Sequence, residues 1–362
     1  MLQATAISAH YHPLEEDILG EGSFGIVAKC RNTETNKIEA VRVYKSEEGV
    51  LEVAMDEIAI LKRLRRLNPD TCNIVQCNGF FFDKENICIS FELLDLSLQD
   101  YLQEKNPRGL TTRELRPILH QLATALSHLH SSGIIHADLK PPNVMVVNRH
   151  EQPLKVKLID FGVARLVSAV NQGDWMGTLH YSAPEMLLGE PFNESVDMWA
   201  LGLLMVELAT GCQLYPGKTE YDVLRFIFET QGQPCDDEFG TSRWRFKTPK
   251  NMVQDPGYEE DQKIFVSLVK SMLSLDASRR ITAQEVLKHR FFAPNVIDQS
   301  VAPFQSASSW QHCVDLNDQS PAPCQSAGEV CIEIPHETNT ENIGWFRRII
   351  RRIMRAFHTY IY

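Results

Sequence analysis

In residues 134–143, Ile-Ile-His-Ala-Asp-Leu-Lys-Pro-Pro-Asn, an Asp, a Lys and an Asn stand at short fixed offsets. Asp138 supplies a carboxylate able to take a proton from a hydroxyl, Lys140 a cation able to neutralise a phosphate, and Asn143 an oxygen able to hold a metal ion. The set suits phosphoryl transfer, where positioning and charge neutralisation supply nearly all of the catalysis. Such chemistry also needs a nucleotide cradle and a second metal ligand. In Leu19-Gly-Glu-Gly-Ser-Phe-Gly-Ile-Val27, Gly20, Gly22 and Gly25 let backbone N–H groups approach phosphates with no Cβ in the way, and Val27 would face a flat base. Asp160 ends the apolar run 156–159 and precedes Phe161-Gly162, which suits a metal ligand on a mobile switch.

The elements around these residues narrow the reading. A lone G-x-G-x-x-G also fits a dinucleotide-binding turn or a plain hairpin. The former needs a helix directly after the glycines. Here β-prone residues 26–30 follow, then a polar turn, 31–37, and another strand, 38–44, so a β-hairpin lid over phosphates fits better. On that second strand Ala40, Arg42 and Tyr44 share one face and Lys45 points the other way. Helical spacing over 53–67 puts Ile58, Leu61 and Leu64 on one side, with Glu57 beside them as the candidate partner of Arg42. Residues 74–82 and 87–93 read as strands, and Phe91 would stand at the back of a nucleotide pocket. A strongly amphipathic helix over 115–131 stops at Gly133. Residues 197–207 form a largely apolar, central helix, and Arg280 is placed to pair with Glu185 of Ala183-Pro184-Glu185.

Composition sets limits. The 362 residues suffice for two lobes with cores of their own. A net charge of −11 argues against direct nucleic-acid binding. Nine cysteines without a Cys-x-x-Cys pair read as reduced thiols of an intracellular protein, nuclear or cytoplasmic. The first nine residues carry no secretory signal pattern, and no apolar run is long enough to span a bilayer.

In order and spacing, Gly20/Gly22/Gly25, Glu57, Asp138/Asn143, Asp160-Phe161-Gly162 and Ala183-Pro184-Glu185 resemble the eukaryotic protein kinases. The likeness covers roughly residues 13–293. His136-Ala137-Asp138, Leu188-Gly-Glu-Pro-Phe192, Leu214-Tyr-Pro-Gly217 and Trp244-Arg-Phe-Lys-Thr-Pro249 are similar to the homeodomain-interacting protein kinases, in the dual-specificity Tyr-regulated kinase group. The resemblance implies an α+β fold of two lobes: a β-rich N-lobe over about 13–93 and a helical C-lobe over about 94–293, after an extension at 1–12. It implies ATP and Mg²⁺, with protein Ser/Thr hydroxyls as substrates. Leu19, Gly20, Gly22, Gly25, Val27, Arg42, Glu57 and Phe91 would bind ATP. Asp138 would be the catalytic base and Lys140 would steady the γ-phosphate, while Asn143 and Asp160 would bind the metal.

The chain departs from that family pattern at several places. Arg42 stands where the family has Lys; its planar fork reaches differently from a compact ammonium. Losing one preorganised contact of this kind costs on the order of 10²–10³ in rate. Trp175 replaces the activating Tyr, Leu179 replaces an Arg, and Ala137 removes a usual phosphate anchor, so packing by Trp175 and Met176 is expected to order the segment. Pro142 replaces a Glu, with no consequence predicted. Two readings follow. One is a Ser/Thr protein kinase of low or conditional activity, favoured by the intact Asp138, Asn143 and Asp160. The other is a pseudokinase scaffold or competitor, favoured by Arg42, Trp175 and the tail.

Residues 294–340 turn to Ser, Gln, Pro and Ala and read as a disordered tail, with a duplicated segment at 298–307 and 318–327. Residues 341–362 read as a basic amphipathic helix. Trp345, Ile349, Ile353 and Phe357 line one face, and Arg347, Arg348, Arg351, Arg352 and Arg355 the other. An anionic membrane surface, a tail-binding protein or the chain's own kinase domain all suit 344–357.

Overall fold

Alternating apolar residues dominate up to Glu92, and 3.6-residue spacing dominates after it. A computed structural model describes residues 11–22, 24–47, 49–83, 86–105, 108–231 and 259–293, without the side chains of 14–17 and 153. The tail 294–340, the basic helix 341–362, most of the N-terminal extension and the stretch 244–249 lie outside these residues. By internal contacts the chain divides into residues 1–224 with 247–292, and residues 225–246 with 293–362. Of the second unit, 225–231 and Ala293 are described.

Five antiparallel strands, β1 (Tyr11–Gly22), β2 (Gly25–Asn32), β3 (Ile38–Tyr44), β4 (Cys77–Asp83) and β5 (Asn86–Glu92), form a sheet in the order β1-β2-β3-β5-β4. The hairpin β1–β2 closes at the pair Gly22 and Gly25. Gly25 is required by packing: a Cβ there would stand 2.0 Å from the Val43 carbonyl oxygen of the neighbouring strand. Gly20 has open space instead, and a Cβ at Gly22 would meet only the Gly25 carbonyl oxygen, at 4.0 Å. The first strand begins at Tyr11, inside the expected extension, because its ring stacks on Phe81 at 4.7 Å and its hydroxyl donates to Glu39 at 3.0 Å. Helix α1 (Val50–Leu64) buries Glu57, Ile58, Leu61 and Leu64. It starts three residues before the expected 53, at left-handed Gly49. Ile74 belongs to no long strand; it bridges Leu158 in parallel, and the Val75 N–H donates to the Leu158 carbonyl at 3.0 Å.

The helical part follows: β6 (Leu96–Ser97), α2 (Leu98–Lys105), α3 (Thr112–Ser131), β7 (Ile134–Ile135), β8 (Val144–Asn148), β9 (Gln152–Leu158), β10 (Arg165–Leu166), α4 (Pro184–Leu187), α5 (Ser195–Thr210), α6 (Glu220–Gln231), α7 (Glu259–Met272) and α8 (Ala283–Leu287). Helix α3 opens with a capping box, Thr111 with Glu114, which accounts for its earlier start than 115. Its predicted face, Leu115, Ile118, Leu119, Leu122, Leu126 and Leu129, is fully buried, and Gly133 takes a φ of 66° just beyond its end. Helix α5 is buried on nearly every side, as its apolar run predicts.

The Arg280 side chain is wholly buried and grips Glu185 through both fork nitrogens, at 2.6 and 3.0 Å. It also donates to the carbonyls of Ser195 and Ser274, and its guanidinium lies 5.1 Å from the Trp199 ring centroid. This clamp fixes the end of the segment that begins at Asp160. Glu185→Ala leaves that cation buried without its partner and should destabilise the chain by about 3–5 kcal/mol. Urea unfolding of the two forms measures the difference.

Candidate active site

Strand register brings the sheet's share of the site together. Val27 pairs with Arg42, Arg42 with Ile89, and Ala40 with Phe91, so Val27, Arg42 and Phe91 belong to one face of three adjacent strands. Gly20 pairs with Val27 at the base of the hairpin. Leu19 lies beside it and is exposed.

Arg42 reaches from that face to two carboxylates with a single nitrogen. Its Nη1 donates to Glu57 Oε1 and Oε2 at 3.3 and 3.2 Å and to Asp160 Oδ1 at 2.8 Å. The Arg42–Glu57 pair expected from the sequence is present. It is not a two-nitrogen fork, and Asp160 holds the shorter bond. Tyr44, on the same face of β3, donates its hydroxyl to Glu57 Oε2, and its ring centroid lies 5.2 Å from the Arg42 guanidinium carbon. Burial pushes the Glu57 carboxyl above the ordinary glutamate range, with Arg42 opposing it. Burial and the Glu57 carboxylate push the Tyr44 phenol up, which keeps its proton in place. Burial would also raise Asp160, but the Arg42 guanidinium and the Gly162 N–H hold it below the ordinary aspartate range.

The loop over residues 136–143 is folded from beneath. Asp197, the third residue of α5, is completely buried. Its Oδ2 accepts the His136 N–H at 2.9 Å, its Oδ1 accepts the Ala137 N–H at 2.8 Å, and His130 Nε2 lies 3.0 Å from Oδ2. These bonds hold Ala137 in the left-handed region, φ 66°. His136 Nδ1 accepts from the Asp138 N–H at 3.3 Å, so its proton is on Nε2, which donates to the Ile159 carbonyl at 3.0 Å. The same ring meets Phe161 edge-on at 5.2 Å.

Asp138 is then enclosed by three donors. A 3₁₀ turn, Pro141–Asn143, opens on two prolines whose fixed φ suits it and folds Asn143 back over the loop. Pro142 thus acquires a local role. Asn143 Nδ2 donates to the Asp138 carbonyl at 2.8 Å and to its Oδ2 at 2.9 Å. Lys140 Nζ lies 2.8 Å from Asp138 Oδ2 and donates to Thr178 Oγ1 at 2.8 Å. The Thr178 hydroxyl donates to Asp138 Oδ1 at 2.7 Å.

Packing by Trp175 does not order the following segment: Trp175 is half exposed. Thr178 anchors the segment instead, together with Gly177, where a Cβ would stand 2.0 Å from the Ala137 carbonyl oxygen. A cavity of ≈ 380 Å³ adjoins Lys140 and Thr178 and is lined also by Leu102, Pro142, Tyr181 and Glu207. A larger one, ≈ 610 Å³, lies among Tyr11, Glu39, Leu61, Gln76 and Glu92 and includes none of the loop residues.

Two hard oxygen donors suit a divalent cation. With its nitrogen committed to Asp138, Asn143 offers its amide oxygen; with Oδ1 committed to Arg42, Asp160 offers Oδ2. Among the described residues no cluster of three His, Cys, Asp or Glu could hold a metal ion. The remaining ligands would be phosphate oxygens and water, the usual arrangement for magnesium beside a nucleotide.

Asp138, Lys140 and Asn143 are thus brought together, as are Arg42, Glu57 and Asp160. Sequence spacing missed Asp197, Tyr44, and Thr178 as an anchor. An acid inside an otherwise apolar helix was the available signal for Asp197. Tyr44 and Thr178 carry none that spacing exposes.

Residues 14–292 match the family model of the protein kinase domain. Among curated proteins, homeodomain-interacting protein kinase 1 of Mus musculus is 36% identical over 324 residues, covering 76% of this chain and 27% of that protein. The protein of the same name in Caenorhabditis elegans is 43% identical over 332 residues, covering 76% of this chain and 39% of it. Homeodomain-interacting protein kinase 4 of Homo sapiens is 40% identical over 220 residues, covering 60% of this chain and 36% of it. The chain therefore spans only about a quarter to two fifths of the length of these relatives.

Burial would raise the Asp197 carboxyl, but His130 and the backbone N–H of His136 hold it below the ordinary aspartate range. A depressed folded-state value contributes stability above the unfolded value, and that stability is lost as pH falls through the folded one. Asp197→Asn turns one acceptor into a donor facing another donor and should cost about 1–3 kcal/mol for each N–H left unpaired. The gap between the two forms should narrow from about pH 5 to about pH 2, below the unfolded carboxylate value, because only the wild type loses a carboxylate. Urea midpoints at both pH values test it.

Proposed function

The chain belongs to the protein kinase family, and on that premise we propose that it is a serine/threonine protein kinase of reduced or conditional activity, using ATP and Mg²⁺. The observation that carries this reading is the set of Asp138, Lys140, Asn143 and Thr178, joined by four contacts of 2.7–2.9 Å, three of them on the Asp138 carboxylate. Asp138 takes the proton of a substrate hydroxyl as that oxygen forms its bond to the γ-phosphorus and the bond to the ADP oxygen breaks. Lys140 offsets charge on the transferred phosphoryl group. Asn143 and Asp160 would hold the metal, whose charge neutralises the phosphates. Gly20 and Gly22 leave room for phosphates beneath the hairpin, while Leu19, Val27 and Phe91 supply apolar contact for the base. Arg42, with Glu57, supplies the cation of β3. Two things support an aliphatic hydroxyl as acceptor: the resemblance to the homeodomain-interacting protein kinases, and Thr178, whose own hydroxyl rests on Asp138.

A second reading, a pseudokinase scaffold or competitor, is favoured by the Arg42–Asp160 bond, which engages an expected metal ligand. Purified full-length protein with ATP, MgCl₂ and a basic protein substrate separates the two. On the first reading the wild type transfers phosphate, and Asp138→Asn lowers the rate by on the order of 10²–10³. Transfer by Arg42→Lys alone would establish the second.

The tail adds a binding function through 344–357, supported by its alternating apolar and Arg pairs. An anionic membrane, an acidic protein groove and the chain's own kinase domain suit it equally. The full chain should float with phosphatidylserine vesicles and remain behind with neutral ones; failure to float leaves the protein groove and the chain's own kinase domain. A nuclear or cytoplasmic setting accords with the unpaired cysteine spacing. Among the described residues no helix is long and apolar enough to cross a membrane.

A further inference from the structure

A family member with Lys at position 42 presents a compact ammonium to the nucleotide site. Here the guanidinium, one bond longer, crosses from Glu57 to Asp160. Three observations show that Asp160 is the favoured end of that reach. The bond to Asp160 Oδ1, at 2.8 Å, is shorter than either bond to Glu57, at 3.2 and 3.3 Å. Glu57 Oε2 is shared with the Tyr44 hydroxyl, which leaves Glu57 with less of its acceptor capacity for Arg42. Asp160 is itself set by a left-handed backbone, φ 61°, and by the Gly162 N–H on the same Oδ1, at 3.3 Å. Arg42 and Asp160 therefore meet as two fixed groups, and the cation cannot leave by losing a proton.

A divalent ion and a guanidinium on one carboxylate compete twice. They draw on one carboxylate, of which the guanidinium already holds Oδ1, and their charges repel. The fixed cation already does at Asp160 part of what a metal does: it cancels the carboxylate charge that would otherwise repel a triphosphate. We propose that Arg42 is a built-in counter-cation for Asp160, so that nucleotide binding by this chain depends far less on a divalent metal than it would with lysine at position 42. Tyr44 is a positioning residue in this device, since it engages Glu57 and leaves the guanidinium to Asp160. The proposal rests on the nucleotide-site reading above and adds to it a specific metal dependence.

The test is the affinity of the full-length protein for AMP-PNP, measured by calorimetry in MgCl₂ and in EDTA. In the wild type the two dissociation constants should agree within about threefold. Arg42→Lys pulls the cation back toward Glu57, and its affinity should then fall about tenfold or more on removing Mg²⁺, the equivalent of ~1.4 kcal/mol. In the double variant Arg42→Lys/Asp160→Asn, which lacks the contested carboxylate, that tenfold difference should disappear. Equal metal dependence in wild type and Arg42→Lys overturns the proposal, and so does its persistence in the double variant. No AMP-PNP binding by any form, with or without MgCl₂, overturns both the proposal and the nucleotide-site reading. If Arg42→Lys gives no cooperative melt, the wild type decides alone: a tenfold loss of affinity in EDTA sinks the idea.

Discussion

A carboxylate with no access to water holds the candidate active site together. Asp197 sits near the start of a helix buried on nearly all sides, and three groups from the chain around 130–137 converge on it. Burying an unpaired charge is costly, so the fold can keep Asp197 ionised only if those donors stay in place. The dependence runs in both directions. The loop that carries Asp138 has almost no regular structure of its own, and the buried acid supplies its rigidity. From that anchor the order propagates: His136 fixes the Ile159 carbonyl, the Asn143 carbonyl accepts the Ile159 N–H at 2.9 Å, and Asp160 follows as the next residue. Asp138 and Asp160 are thereby placed by one chain of bonds.

Pairs of opposite charge joined by recognisable elements were legible in the sequence. Glu57 shows its place because apolar neighbours at helical spacing surround it, and Glu185 and Arg280 are an acid and a base flanked by apolar or turn residues. The strand alternation correctly put Arg42 and Tyr44 on one face and sent Lys45 away, where it lies 3.9 Å from Glu21. Periodicity reports which face a residue takes. It does not report how far a long side chain reaches, and that is why the Arg42–Asp160 bond could not be read from spacing. Element ends were displaced by a few residues wherever a cap or a left-handed glycine set the boundary, as at Thr111 and Gly49.

Trp175 shows the opposite kind of failure. A large aromatic residue in a loop suggests packing, yet this one is half exposed. Order in the segment comes from small groups: a glycine that lets two backbones touch, and a threonine hydroxyl shared by Lys140 and Asp138. Such contacts depend on three-dimensional proximity across some forty residues of chain, which no local pattern encodes.

The close approach of Gly25 to the Val43 carbonyl gives the β1–β2 hairpin two unlike legs. The returning leg, β2, is pressed against the backbone of β3 and pairs with it residue by residue from Gly25 to Arg31. The outgoing leg, β1, is an edge strand whose register shifts between Pro13 and Ile18 and again between Ile18 and Gly20. The leg through Val27 is thus held by backbone on both of its edges, and the leg through Gly20 by β2 alone.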